Sequence, residues 1–176
     1  MSTERAPMSS TSQTRETHVL LDHLNAQRRH VLGILEGLDE DALRRPVLPS
    51  GWSCLGLLQH LALDDERFWF QAVVAGDQSV IDQVTSAPED AWQIGPDVSV
   101  EEVFDLYRKH TDRSNAIIEA TSLDAEPAWW PDFFPSFRLD NLREVLLHVL
   151  TETAVHAGHL DATRELIDGR TWLVLS

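Results

Sequence analysis

The stretch 146-LLHVLTETAVHAGHLDATRELIDG-169 sets His148, Glu152, His156 and His159 in a run otherwise built of helix formers and apolar residues. At about 100° per residue, the step from Glu152 to His156 turns the side chain by roughly 40°, and His159 returns to within roughly 20° of Glu152. One helix face therefore carries all four groups, where a core-facing helix would carry Leu, Ile and Ala. Leu146, Leu147, Val149, Leu150, Val155 and Leu160 crowd both sides and leave little room for a broad polar face. Spacing alone keeps two readings open. The polar groups form a solvated stripe, or Glu152 and His156, one turn apart, hold a single ion from one helix.

The same stretch sits in a helix with legible ends. Asn141 with Glu144 is a capping-box pair, and Gly169 follows Asp168 in the position where helices turn left-handed. Upstream, apolar residues from Val19 to Leu38 recur at three- and four-residue intervals, predicting a helix over 14–37. The segment 39-DEDALRRPVLPSG-51 predicts a short helical turn and then an extended loop. Ser53 stands as N-cap of a dense apolar helix over 54–76 that ends at Gly76. Residues 77–97, acidic and broken by Pro88, Gly95 and Pro96, read as a long irregular connection. Ser99 with Glu102 is a further capping box, opening a helix to about Thr121.

Alternating strand patterns and internal repeats are absent, so the expected fold is all-α, a four-helix bundle with long crossover connections. Between the last two helices lies 122-SLDAEPAWWPDFFPSFR-138, too rich in proline to propagate a helix and too aromatic to leave in water. Its core, 129-WWPDFFPSF-137, is expected to fold back on the bundle, either as the contact of a homodimer or as the wall of a substrate pocket.

At 176 residues the chain suits one domain, expected over 14–176 behind a disordered polar lead over 1–13. No apolar run approaches the roughly 20 residues that span a bilayer. The lead lacks the apolar core of a secretory signal, and the single cysteine, Cys54, forms no internal disulfide, so a cytoplasmic location is expected. Twenty-nine acidic residues against fourteen basic give a formal charge of −15, which repels phosphate backbones and anionic membranes. Nucleic acid and membrane surfaces are thereby disfavoured as partners. Cys54, in the first turn of its helix, reads as a core thiol more readily than as a nucleophile.

Helix 54–76 adds His60, between Leu57 and Leu63, with Asp64 one turn on. Bundle cores build metal sites from facing helices, so His60, Glu152 and His156 make a facial set of two imidazoles and a carboxylate with open positions. Zinc suits such a set first, with nickel, iron or manganese as other divalent transition metals. His159 is an additional ligand or a substrate-binding group, and His148 lies a further turn along the axis.

The phrase with His60 in LLQHLA, followed by DERFWF and then LHVLTETAVHAGHLD, resembles the DinB-like superfamily of metal-binding four-helix bundles. Its members typically carry three histidines around a divalent metal. His60 and His156 match two of them, while Glu152 stands where the third would be. A glutamate in that slot is similar to the mycothiol-dependent maleylpyruvate isomerase branch, which uses His, Glu and His on zinc. GLD-x-x-x-L-R-R-P, HLA and HAGHLD also resemble short actinobacterial-type members, over about residues 14–170. The resemblance implies a metal-dependent S-transferase or isomerase that joins a low-molecular-weight thiol such as mycothiol to an electrophile. Two other readings stand beside it: a metal-dependent hydrolase, with His159 or Asp64 as base, and a non-catalytic metal- or ligand-binding bundle.

Overall fold

A computed structural model of the chain describes residues 10–86 and 90–172. The described residues are helical, with no strand among them. In chain order the helices are α1 (Ser10–Leu35), α2 (Glu40–Arg44), α3 (Cys54–His60) continuing as a π segment (Leu61–Val74), α4 (Gln78–Ser86), α5 (Val100–Ala120) and α6 (Leu142–Asp168). α1 packs along α6 and α5 along the π segment, so elements distant in sequence are neighbours across the long crossovers. This is the expected all-α crossover bundle of DinB-like type.

The helix ends follow the chemistry of their caps, with one departure. The Ser99 hydroxyl accepts from the Glu102 backbone N–H while the Glu102 carboxylate accepts from the Ser99 N–H, closing the expected box at the start of α5. At α6 only half of the Asn141–Glu144 box forms. Asn141 caps the Glu144 N–H, but the Glu144 carboxylate accepts from Asp140 N–H, one residue earlier than expected. Gly76 and Gly169 both take positive φ, 66° and 79°, where a Cβ would strain the turn. Arg164, buried in α6, donates to the carbonyls of Ile34 and Glu36 and so satisfies the C-terminal end of α1.

Three expectations on helix extent are corrected. Helix α1 is already formed at Ser10, inside the lead expected over 1–13, whose first nine residues lie outside those described. The connection 77–97 contains α4, held by Val80 and Ile81, which reach the core, and by Val84, half-buried against it; residues 87–89, including Pro88, lie outside those described. The helix expected over 54–76 changes after His60 from α to π hydrogen bonding, a form found mostly in short pieces at functional sites. Nearly every side chain from Leu61 to Val74 is buried, Asp64 and Arg67 apart.

The core divides into two apolar clusters. One gathers Leu21, Leu24, Phe68–Phe70, Ala72–Val74, Ile117, Ile118 and the start of α6, with the aromatic loop packed against it. The other gathers Val31, Ile34, the residues of α3, Tyr107, Ala157 and Leu160. Between them runs a polar layer drawn from α1, the π segment and α5. Its centre is Arg28, 4% exposed, which donates from Nε and Nη2 to both carboxylate oxygens of Glu66, 1% exposed, at 2.7 and 2.5 Å. Nη1 of Arg28 donates to Asn25 and to Asn115, so the guanidinium joins α1, the π segment and α5. Ser114 and the Gln71–His110 pair continue the layer, and burial, with Arg67 and Lys109 nearby, lowers the His110 pKa to about 4.

Removing one member of a buried ion pair strands the other charge. Glu66→Ala is expected to cost about 3–5 kcal/mol in urea unfolding, and the double change Arg28→Met with Glu66→Leu less than that. Equal cost for the single and double variants would show that the pair does not act as a unit.

Candidate metal and thiol site

The polar layer surfaces where α3 passes into the π segment and faces the middle of α6. There the structure brings His60 and His156 together, their rings 5.1 Å apart and edge to face. Glu152 joins them, with a carboxylate oxygen 3.9 Å from His156 Nε2, beyond hydrogen-bond reach. The side chains of His60 and His156 are 16% and 12% exposed and that of Glu152 40%, so the histidines are sheltered and the carboxylate meets solvent. Burial, with His60 and His159 close by, lowers the His156 pKa to about 4, which leaves a neutral imidazole with a free lone pair at neutral pH.

Each histidine has a second partner on its far edge. The Asp64 carboxylate lies 2.8 Å from His60 Nδ1, which places the hydrogen on that nitrogen and turns Nε2 outward as the free donor edge. A carboxylate behind an imidazole is the arrangement that orients metal-ligating histidines. Asp64 is thereby engaged by His60, and its expected service as a free base for hydrolysis is not supported. His159 lies with its Nδ1 3.5 Å from His156 Nδ1, on the edge opposite the one that faces Glu152.

Trp92 completes the enclosure and was not anticipated. Its ring stacks on His60 at 4.1 Å with an interplanar angle of 20° and meets His156 at 5.9 Å. Two residues of α3 hold it there. Gln59 donates to the carbonyls of Ala91 and Gln93, and Gly56 lets the loop lie against the helix, because a Cβ at 56 would run into the Trp92 carbonyl oxygen. A glycine inside a helical pattern was the one local signal of this close approach.

The remaining candidates fall elsewhere. His148 lies against Trp69 at 4.7 Å and Phe137 at 5.7 Å, among the rings of the aromatic loop, and lines the same cavity as His60 and Glu152 without a ring contact to His60 or His156. That loop does fold back, through backbone bonds from Ala128 and Trp129 to the Val74 and Val73 carbonyls, and its Phe133 and Phe134 wall a cavity beside the histidines. Cys54 is 1% exposed and burial raises its thiol pKa to about 11, so it is an inert core residue. Leu147 and Val155, expected to crowd the polar face of α6, are 45% and 49% exposed, so the face is wider than their neighbours in sequence implied.

Among the described residues no three His, Cys, Asp or Glu side chains stand close enough to hold one metal ion as placed. The chemistry of the donor set nonetheless fits a divalent transition metal: a neutral imidazole, a second imidazole oriented by a carboxylate, and a half-exposed glutamate on adjoining faces.

The chain belongs to the mycothiol-S-transferase family, whose model matches residues 19–169. Membership gives it a catalytic, thiol-transferase-like role. No curated protein and no solved structure matches it. No helix among the described residues is long and apolar enough to cross a membrane.

Gly56→Ala is expected to push the 91–93 loop outward, unstack Trp92 from His60 and cost about 1–3 kcal/mol as an overpacked contact. The ring-proton resonances of His60, shifted by the indole in the parent, are expected to move toward their unstacked positions. Unchanged resonances in a protein of unchanged stability would contradict this account of the loop.

Proposed function

We propose that the chain transfers a low-molecular-weight thiol of the mycothiol type to an electrophilic carbon, with His60, Glu152 and His156 holding a divalent transition metal, zinc first among them. The observation that carries the reading is the meeting of two sheltered imidazoles and a carboxylate from facing helices beside an apolar cavity, in a chain of the mycothiol-S-transferase family. When bound, the metal would hold the thiol as its nucleophilic thiolate at neutral pH.

The chain's own residues do the rest. Asp64 orients His60 from one side and Trp92 covers its face, which limits water at the donor edge. Glu152 contributes a negative charge that moderates the charge of a bound cation. The half-exposed edge at Glu152 gives the S–H proton a route to solvent. The sulfur pair then forms the S–C bond, and the electrons pass to a departing halide or into the π system of an unsaturated carbonyl. A reducing cytoplasm suits a free thiol substrate.

The test is conjugation of mycothiol to an activated aryl chloride, followed by thioether absorbance in parent and variants. His60→Ala and His156→Ala are each expected to lower kcat/KM by roughly 10²–10⁴-fold, the range for losing activation of a nucleophile. Glu152→His, which removes a negative charge, is expected to keep activity and move its acid limb to lower pH. Parent-like rates in both histidine variants would remove the reading.

A further inference from the structure

We infer that the cavity beside the histidine pair is a binding site for a small, flat, neutral molecule that is largely apolar, and that Asp65 receives its one hydrogen-bonding group. The inference rests on the transferase reading only in taking this molecule to be the electrophile.

The cavity measures about 290 Å³, at the low end for small-molecule sites, which fits one ring or a fused pair. Its apolar walls are Phe68, Trp69, Val84, Phe133 and Phe134. The rings meet largely edge to face: Phe68 stands 4.9 Å from Trp69 at 78°, and Phe133 stands 4.8 Å from Phe134 at 70°. Trp69 and Phe134 lie nearly parallel, with 7° between their planes. Such walls present faces and edges to another flat π system. Phe133, 54% exposed, leaves apolar surface in water at this cavity.

The rest of the lining, His60, Asp64, Asp65, His148 and Glu152, is polar, and one of its members is unsatisfied. Asp65 lines the cavity and is 5% exposed, yet its Oδ2 is sealed from solvent and has no hydrogen-bond partner. The neighbouring guanidinium of Arg28 is committed to Glu66, Asn25 and Asn115. A buried carboxyl without a partner is uncommon in folded proteins and marks a place where another group belongs. Burial, with Glu66, Glu152 and Asp64 around it, raises the Asp65 pKa well above the usual carboxylate range. A neutral carboxyl both gives and takes a hydrogen bond, which suits a hydroxyl, amide or carbonyl on the ligand. The acidic rim of Asp64 and Glu152 disfavours an anionic one.

The experiment measures equilibrium binding of 2-naphthol and of its methyl ether to the full chain, without added metal or thiol. The two probes share the fused ring and differ in the hydroxyl. The parent is expected to bind naphthol about tenfold more tightly than the ether, the equivalent of one net hydrogen bond. Asp65→Ala is expected to bring both affinities to that of the ether, Asp65→Asn to keep most of the preference, and Phe134→Ala to weaken both probes several-fold. Equal affinities in the parent overturn the inference, and this comparison needs no variant to fold. A preference that survives Asp65→Ala, or binding indifferent to Phe134→Ala, overturns it as well. Because neither thiol nor metal enters the assay, this result is independent of whether the chain transfers a thiol.

Discussion

The buried pairing of Arg28 with Glu66 is the constraint on which the arrangement turns. Two parallel N–H···O bonds fix both distance and rotation, and the third arm of the guanidinium reaches α5 through Asn115. Apolar clusters on either side would tolerate some sliding of helix on helix; a fork-to-fork ion pair between them does not. With Glu66 turned toward α1, the preceding residues Asp64 and Asp65 are carried to the side that faces α6. The helix start that bears His60 is carried with them. The rotational setting of one charged pair thus aims the candidate site.

A charge so deep in a bundle needs full satisfaction, and the polar layer provides it by drawing residues from α1, the π segment and α5. The site is the place where this layer reaches the surface. The two halves of the core supply dry walls, and the layer supplies nitrogen and oxygen donors between them. The π hydrogen bonding that begins just past His60 belongs to the same junction, since it sets how the row of residues after His60 is presented.

Much of this was legible in the sequence where the governing interactions are local. Ser99 with Glu102, Gly76 and Gly169 mark helix ends because caps act across three or four residues. The placing of Glu152 and His156 together follows from a single turn of α6. His60 came into the set from the general rule that bundle sites draw on facing helices, reinforced by a resemblance, because no spacing rule links residue 60 to residue 156. Other features escaped for physical reasons. Arg28 looks like a surface residue until its partner 38 positions away is known. α4 is only nine residues long and its apolar stripe is the single set Val80, Ile81 and Val84, too short to stand out in an acidic, proline-broken segment. The change from α to π bonding leaves the apolar density unaltered. Trp92 reaches His60 through backbone contacts with α3 that no local pattern records, and Leu147 and Val155 show that an apolar neighbour in sequence need not narrow a polar face.

The proposed metal site makes His60 and His156, with Glu152, one donor set that leaves His148 and His159 outside it. It is tested most directly by following the ring nitrogens of all histidines by NMR as zinc is titrated into isotopically labelled protein. Nε2 of His60 and of His156 are expected to move together into the range of metal-bound nitrogen, saturating at about one ion per chain, as a single bundle site would. His148 and His159 keep unbound signals, and Glu152→Ala weakens the transition. Metal-bound signals on His148 or His159 in place of either, or no saturable change at His60 and His156, would contradict it.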